Sequence, residues 1–158
     1  MPTEPAVSVS APPCRLLVVE DDALVREVIV RVARRENFVV VVAPHGGEAL
    51  ARLARGRFDV MMTDIYMPET DGIELMTQAR ELDPAMPIVA ISGGGEFGFS
   101  PLRAATLLGA AHVLPKPFEI TQLAWLLQAA RMATAKEFAQ APAAEADKPA
   151  EGSQVACG

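Results

Sequence analysis

A chain of 158 residues, 51% hydrophobic with a formal net charge of −6, has the size and balance of a single soluble domain around one core. The acidic balance argues against a nucleic-acid binder, which needs a basic patch for the phosphate backbone, and no apolar run approaches a membrane span. The residues up to Pro13 lack the basic start and apolar centre of a secretory signal, and Cys14 and Cys157 have no metal-like spacing, so a reducing cytoplasm is the simplest location.

Met1 to Pro13, rich in Pro, Ser and Ala, is expected to be disordered. Arg15 to Val19 is a short apolar run and reads as the first strand. Asp22 is placed to cap a helix running to about Glu36, with Val25, Val28, Ile29 and Val32 on one face. The continuous β-branched run Phe38 to Val42 predicts a second, buried strand. Pro44-His45-Gly46-Gly47 then turns the chain into a short helix from Glu48 to about Arg55. Phe58 to Thr63 predicts a third strand, buried on both faces, which ends in the carboxylate of Asp64 before Pro68 and Gly72 break the chain.

Ile73 to Leu82 reads as a helix stopped by Asp83-Pro84, and Pro87 to Ile91 as a fourth strand followed by Ser92 and the glycines 93–95. Pro101 to Leu108 predicts a helix with Gly109 as its stop. Ala111 to Leu114 is a fifth strand, and Pro115 places it at a sheet edge. The last helix spans Glu119 to about Ala135, with Ile120, Leu123 and Leu127 facing the sheet and Trp125 and Met132 facing away. Beyond it the chain is rich in Ala, Pro and acid and without periodicity, which gives a domain over 14–135 flanked by disordered segments 1–13 and 136–158. Alternating strands and helices predict an α/β fold with a doubly wound parallel sheet. The apolar character of Phe38 to Val42 suits an interior strand, so pattern alone leaves the strand order open.

Glu20, Asp21 and Asp64 end two of these strands, where open α/β folds carry their chemistry. Three carboxylates in one crevice repel, and either a proton or a cation must join them. Oxygen ligands without His or Cys suit Mg²⁺. A simpler role for Glu20 to Asp22 is to cap the first helix and favour its positive end. Lys116, held between Pro115 and Pro117 at the same edge, reads as a clamp on an anion, and Ser92 adds a hydroxyl. A nucleotide site would instead want a Gly-rich first turn, where this chain has acid.

Four segments together carry a resemblance: Val18-Val19-Glu20-Asp21-Asp22, Asp64-Ile65-Tyr66-Met67-Pro68 with Asp71-Gly72, Ile91-Ser92-Gly93, and Lys116-Pro117-Phe118. From about Arg15 to Met132 the chain resembles the CheY-like receiver domain of two-component response regulators. The resemblance implies a five-stranded flavodoxin-like sheet in the order 2-1-3-4-5. It implies that Asp64 accepts a phosphoryl group from a histidine kinase or histidine phosphotransfer protein. It further implies that Asp21, Asp64 and the backbone carbonyl of Tyr66 ligate Mg²⁺, and that Glu20 holds a metal-bound water. Lys116 would pair with the phosphoryl group, Ser92 would hydrogen-bond it, and the Lys116–Pro117 peptide would be cis.

With only the Ala/Pro-rich stretch after the last helix, the expectation is a single-domain regulator that catalyses only its own phosphorylation and dephosphorylation. It would signal through a protein target or a homodimer at Trp125 and Met132, or act as a phosphate sink. The alternative is an aspartyl-phosphate-forming hydrolase of similar fold. The haloacid dehalogenase type places a second Asp two residues after its nucleophile, a position held here by Tyr66. In receivers an aromatic residue usually stands three positions before the clamp lysine and turns inward on activation. Val113 stands there instead, with no ring to swing, and His112 belongs to the opposite strand face. The expected moving element is therefore the loop Gly93 to Phe99, packed through Phe97 or Phe99.

Overall fold

The computed structural model describes residues 13–67, 71–93, 103, 105–106 and 108–140. Five strands, β1 (Cys14–Val19), β2 (Phe38–Ala43), β3 (Val60–Asp64), β4 (Ile88–Gly93) and β5 (His112–Lys116), form one parallel sheet in the order β2-β1-β3-β4-β5. Four described helices cover it: α1 (Ala23–Arg35), α2 (Gly46–Arg55), α3 (Gly72–Leu82) and α4 (Ile120–Gln140). The strand order is the one that the resemblance implied.

The interior strands β1, β3 and β4 are apolar at nearly every position because both of their faces are covered. Leu16, Val18, Val60, Met62, Val89 and Ile91 pack with Ile29 and Val32 of α1 and with Leu123, Leu126 and Leu127 of α4. On the other face Leu17, Val19, Met61, Ile88 and Ala90 pack with Ala49 of α2 and with Leu75, Met76 and Ala79 of α3. Parallel register aligns the strand ends: Val19 lies opposite Thr63, Asp64 opposite Ile91, and Gly93 opposite Lys116. The residues that follow β1 and those that end β3, β4 and β5 are thereby brought to one edge.

Several local expectations change. β2 is an edge strand, not an interior one: Val39 is 45% and Val42 38% exposed. Its β-branched run reflects strand preference, which operates without burial on both faces. On α1 the buried stripe is Ile29, Val32 and Ala33, and Val28 stands at its margin, exposed. On α4 the buried stripe is Leu123, Leu126, Leu127 and Ala130, and Ile120 lies about 70° from its centre, exposed. Trp125 and Met132 lie about 150° and 170° from that centre and face outward as expected.

Helix starts follow their caps. Asp22 Oδ1 accepts from Leu24 N at 2.8 Å and Val25 N at 3.1 Å, which depresses the Asp22 carboxyl pKa. His45 Nδ1 accepts from Glu48 N at 3.2 Å and starts α2 at Gly46, ahead of the expected Glu48. α4 runs past the expected end at Ala135 to Gln140. Arg131 donates to the carbonyls of Glu36 at 2.9 Å and Asn37 at 3.3 Å, which ties α4 to the α1–β2 turn, where Asn37 has a positive φ of 62°. Most of the helix expected over 101–108 lies outside the described residues, as does the loop with Phe97 and Phe99. Residues 103, 105 and 106 are helical, and Ala105 is buried.

Cys14 starts β1 in the core, and burial first, then the negative charge of Asp59, pushes its thiol up to about 11, against the opposing charge of Arg131. A buried thiol that stays protonated is inert. In a Cys157→Ser chain at pH 8, Cys14 should react with a disulfide reagent only at the rate of unfolding. Prompt stoichiometric reaction of the native protein would contradict the burial.

Candidate functional site

The site is assembled from strand ends. Glu20 follows β1 and is fully buried; its amide bonds Ala43 O at 3.3 Å and its carbonyl accepts from Arg26 Nη1 at 2.9 Å. Its Oε1 accepts from the Asp22 amide at 3.1 Å. Asp64, 4% exposed, ends β3; its Oδ1 accepts from Tyr66 N at 3.1 Å and its Oδ2 from Lys116 Nζ at 2.8 Å. The same Nζ lies 3.0 Å from Glu20 Oε2. Lys116, at the end of β5 and followed by a cis peptide to Pro117, therefore sits between the two buried carboxylates. Asp21 is exposed at the mouth.

This geometry qualifies the idea of mutually repelling acids. Burial is the first cause that raises Glu20, to about 7; Lys116 opposes it, and the charge of Asp64 adds to it. Burial pulls Lys116 down, but its contacts with the carboxylates of Asp64 and Glu20 outweigh that, and its pKa ends above the ordinary value. The protein's own ammonium is thus the first answer to carboxylate repulsion.

Two features point to a further cation. Glu20 Oε2 is buried with no hydrogen bond of good geometry, its contact with Lys116 being purely an ion pair. Glu20, Asp21 and Asp64 each offer a carboxylate oxygen within 4.8 Å of the others. A donor set of oxygens alone suits a hard dication such as Mg²⁺ and does not suit Zn²⁺.

Ser92 is buried at the same edge, but its hydroxyl donates to Gly93 O at 3.0 Å, along its own strand. Tyr66 contributes backbone: the residue is 51% exposed and forms a short antiparallel bridge with Asp71. That bridge and the bond from Gly72 N to Ile65 O at 3.0 Å fold the chain back beneath Asp64. A Cβ on Gly72 would stand 2.4 Å from Asp64 O and 2.5 Å from Ile65 Cα, so only glycine allows α3 to start there. Sequence reading took Gly72 for a turn signal and missed this packing. It also passed over Thr63, a buried hydroxyl donating to Asp64 O at 3.0 Å, although a polar residue at the end of an apolar run marks the position. Val113 packs into the α2–α3 side of the core and His112 meets Trp125 on the other side, in keeping with strand alternation.

Comparison with known proteins agrees with the fold. The family model of the response regulator receiver domain matches residues 16–128. The response regulator receiver protein CpdR of Brucella abortus (strain 2308) is 37% identical over 109 residues, covering 69% of this chain and 89% of that protein. The response regulator MprA of Mycobacterium sp. (strain KMS) is 36% identical over 111 residues, covering 70% of this chain and 47% of MprA, so the chain spans about half of that relative. Among solved structures, a CheY-like receiver domain protein from Methanospirillum hungatei JF-1 superposes with a TM-score of 0.73 at 25% identity, covering 80% of this chain and 99% of that one. The chemotaxis protein CheY4 of Vibrio cholerae does so with a TM-score of 0.67 at 28% identity, covering 75% and 99%.

Two outcomes follow from the site's packing. Gly72→Ala should destabilise the fold by about 1–3 kcal/mol through overpacking against backbone, read as a lower urea midpoint; an unchanged midpoint would refute the close approach. Glu20 binds its proton more tightly folded than unfolded, so the metal-free protein should lose stability as pH rises from 4.5 to about 7. Glu20→Gln should flatten that slope and raise the melting temperature at pH 8. Parallel stability profiles of the two proteins across this window would show that burial does not perturb Glu20.

Proposed function

This chain belongs to the response regulator receiver domain family, and from that premise we propose that Asp64 takes a phosphoryl group from a histidine kinase or histidine phosphotransfer protein. Receiver domains are signalling domains that work through phosphorylation, not enzymes acting on metabolites. The observation that carries the assignment to Asp64 is the pair of contacts from Lys116 Nζ, 2.8 Å to Asp64 and 3.0 Å to Glu20. In the transfer, an oxygen of the Asp64 carboxylate attacks phosphorus, the P–N bond to the donor histidine breaks, and the imidazole leaves with the electron pair.

Lys116 is placed to neutralise charge on the transferring oxygens, and Ser92 to hydrogen-bond one of them after its hydroxyl leaves Gly93 O. Asp21, Asp64 and the Tyr66 carbonyl are the residues that would hold Mg²⁺, with Glu20 behind them. When bound, the ion supplies further neutralisation of phosphoryl charge. The tight turn at Gly72 and the amide of Tyr66 hold the Asp64 carboxylate in position. The hydrolase alternative lacks support, because Tyr66 stands where such an enzyme needs an acid.

The same proposal includes partners. Leu24, 76% exposed, follows Asp21-Asp22 in the first turn of α1, and Ile120, 57% exposed, lies in the first turn of α4 after Lys116-Pro117. Apolar side chains flanking an acidic pocket form a rim on which a phosphodonor protein can dock. On the outer side of β5 and α4, a groove of about 410 Å³ is lined by Val113, Pro115, Thr121, Gln122 and Trp125. His112 meets Trp125 edge-on at 6.4 Å between ring centres, and Trp125 and Met132 remain 64% and 63% exposed. This is the surface for a downstream target or a second receiver. In this reading the receiver runs from 14 to the end of α4, flanked by the amino-terminal segment and by 141–158, and it works in the cytoplasm, either signalling through that surface or draining phosphoryl groups.

Incubation with acetyl phosphate should add one hydroxylamine-labile phosphoryl group that Asp64→Asn abolishes; retained labelling of that variant at the wild-type rate would move the acceptor elsewhere. Leu24→Asp should slow transfer from a phosphorylated kinase while leaving acetyl phosphate unaffected, and equal slowing with both donors would count against the docking rim. Trp125→Ala should weaken partner association measured by sedimentation, with phosphorylation intact. Unaltered association would remove that surface from the account.

A further inference from the structure

The carboxyl edge of the sheet is acidic, and the amino edge is its opposite. Arg34 and Arg35 close α1, Arg52 and Arg55 close α2, and Arg15 and Arg57 lie at the starts of β1 and β3. Arginines in a last helical turn favour the negative end of a helix, which accounts for four of them but not for Arg15 or Arg57. Only Arg52 of this set has an ion pair among the described residues, with Glu48 at 2.8 Å. Between the ends of α2 and α3 lies a groove of about 480 Å³, with Leu53, Phe58, Leu82 and Pro84 in its lining, Arg55 and Arg57 beside them, and one acid, Asp83, whose Oδ1 accepts from Ala85 N at 3.2 Å. The Arg15 guanidinium stacks 4.8 Å from the centre of the Phe58 ring. Apolar side chains bordered by unpaired cations suit a peptide with small apolar and acidic residues.

Such a peptide is tethered nearby. α4 runs from the carboxyl edge to the amino edge, where the Thr134 hydroxyl donates to Asp59 O at 3.2 Å, one residue from Phe58. Gln140 ends the helix about 9 Å farther on at 1.5 Å per residue. Glu145 comes five residues later, a reach of up to about 17 Å, enough to return past that distance. The segment 141–158 carries Glu145, Asp147 and Glu151 against the single Lys148, interspersed with alanines and with Pro142 and Pro149. In an extended chain Ala144 and Ala146 share one side and Glu145 and Asp147 the other. We propose that segment 141–158 docks in the groove of its own chain, with Ala144 and Ala146 over Phe58 and Leu82 and with Glu145 and Asp147 against Arg55 and Arg57.

The test uses the full chain with Ala150→Cys and Cys157→Ser, which takes a nitroxide at residue 150 because Cys14 is buried. Amide signals of Gly56, Phe58 and Leu82 should lose intensity through paramagnetic relaxation. The loss should vanish in Arg55→Glu/Arg57→Glu and shrink at high salt, where exposed charges are screened. Intensity loss that is uniform, that centres on Val113 to Trp125, or that survives the arginine reversals would overturn the proposal. Loss seen equally between nitroxide-bearing unlabelled chains and isotope-labelled chains without nitroxide would also overturn it, by assigning the groove to a second copy.

Discussion

One ammonium group holds the acidic edge together. Burying two carboxylates costs far more than a fold of this size can spare unless each is paired, and Lys116 pairs with both at once. That requirement explains why β5 must run two residues past Leu114, the position level with Asp64 through Ile91, so that the Lys116 side chain reaches both carboxylates. It also explains a weakness. Lys116 and the Tyr66 amide between them satisfy both oxygens of Asp64, but one oxygen of Glu20 is left without a hydrogen bond, and burial makes the Glu20 proton hard to remove. An edge satisfied in part by the protein alone is ready to respond to added charge of either sign, which is what a site for a cation and a phosphoryl group has to do.

Much of the fold was legible because parallel sheets leave a strong trace. The buried runs at β1, β3 and β4, the acids at two strand ends and the proline-flanked lysine at a third survive any uncertainty of a residue or two. Edge status was not legible for β2, since a run of valines reads alike whether one or both neighbours are present, whereas Pro115 announced the edge at β5. Single positions at the ends of helical stripes, Val28 and Ile120, also escaped, because a periodic pattern does not say where a helix overhangs the layer beneath it. At the site, residue types gave the chemistry but not the pairings. That Lys116 would stand between Glu20 and Asp64, and that Gly72 would touch the Asp64 carbonyl, depend on strand register and loop closure over distances that no local pattern encodes.

The molecule is also polar along its strands. Acid gathers at the carboxyl edge, where helices begin, and arginine at the amino edge, where they end, so each full side-chain charge is stabilised by, and outweighs, the opposite partial charge of the helix end beside it. The field of such an arrangement orients approaching charged partners before contact, in a manner that weakens with salt. Cationic groups are drawn to one edge and anionic groups to the other.

The attachment of α4 bears on how the chain comes into being. Leu123, Leu126, Leu127 and Ala130 complete one whole face of the sheet, and Arg131 fastens their helix to a turn nearly a hundred residues earlier. During synthesis β1, β2 and β3 can find one another early, as their order in the sheet allows, yet Val18, Met62 and Ile91 stay partly uncovered until the final helix leaves the ribosome. The nascent chain therefore carries an exposed apolar face for most of its elongation. A holding chaperone, or slow translation before residue 120, would bear directly on yield, while the finished protein, with that face closed, would show no trace of the dependence.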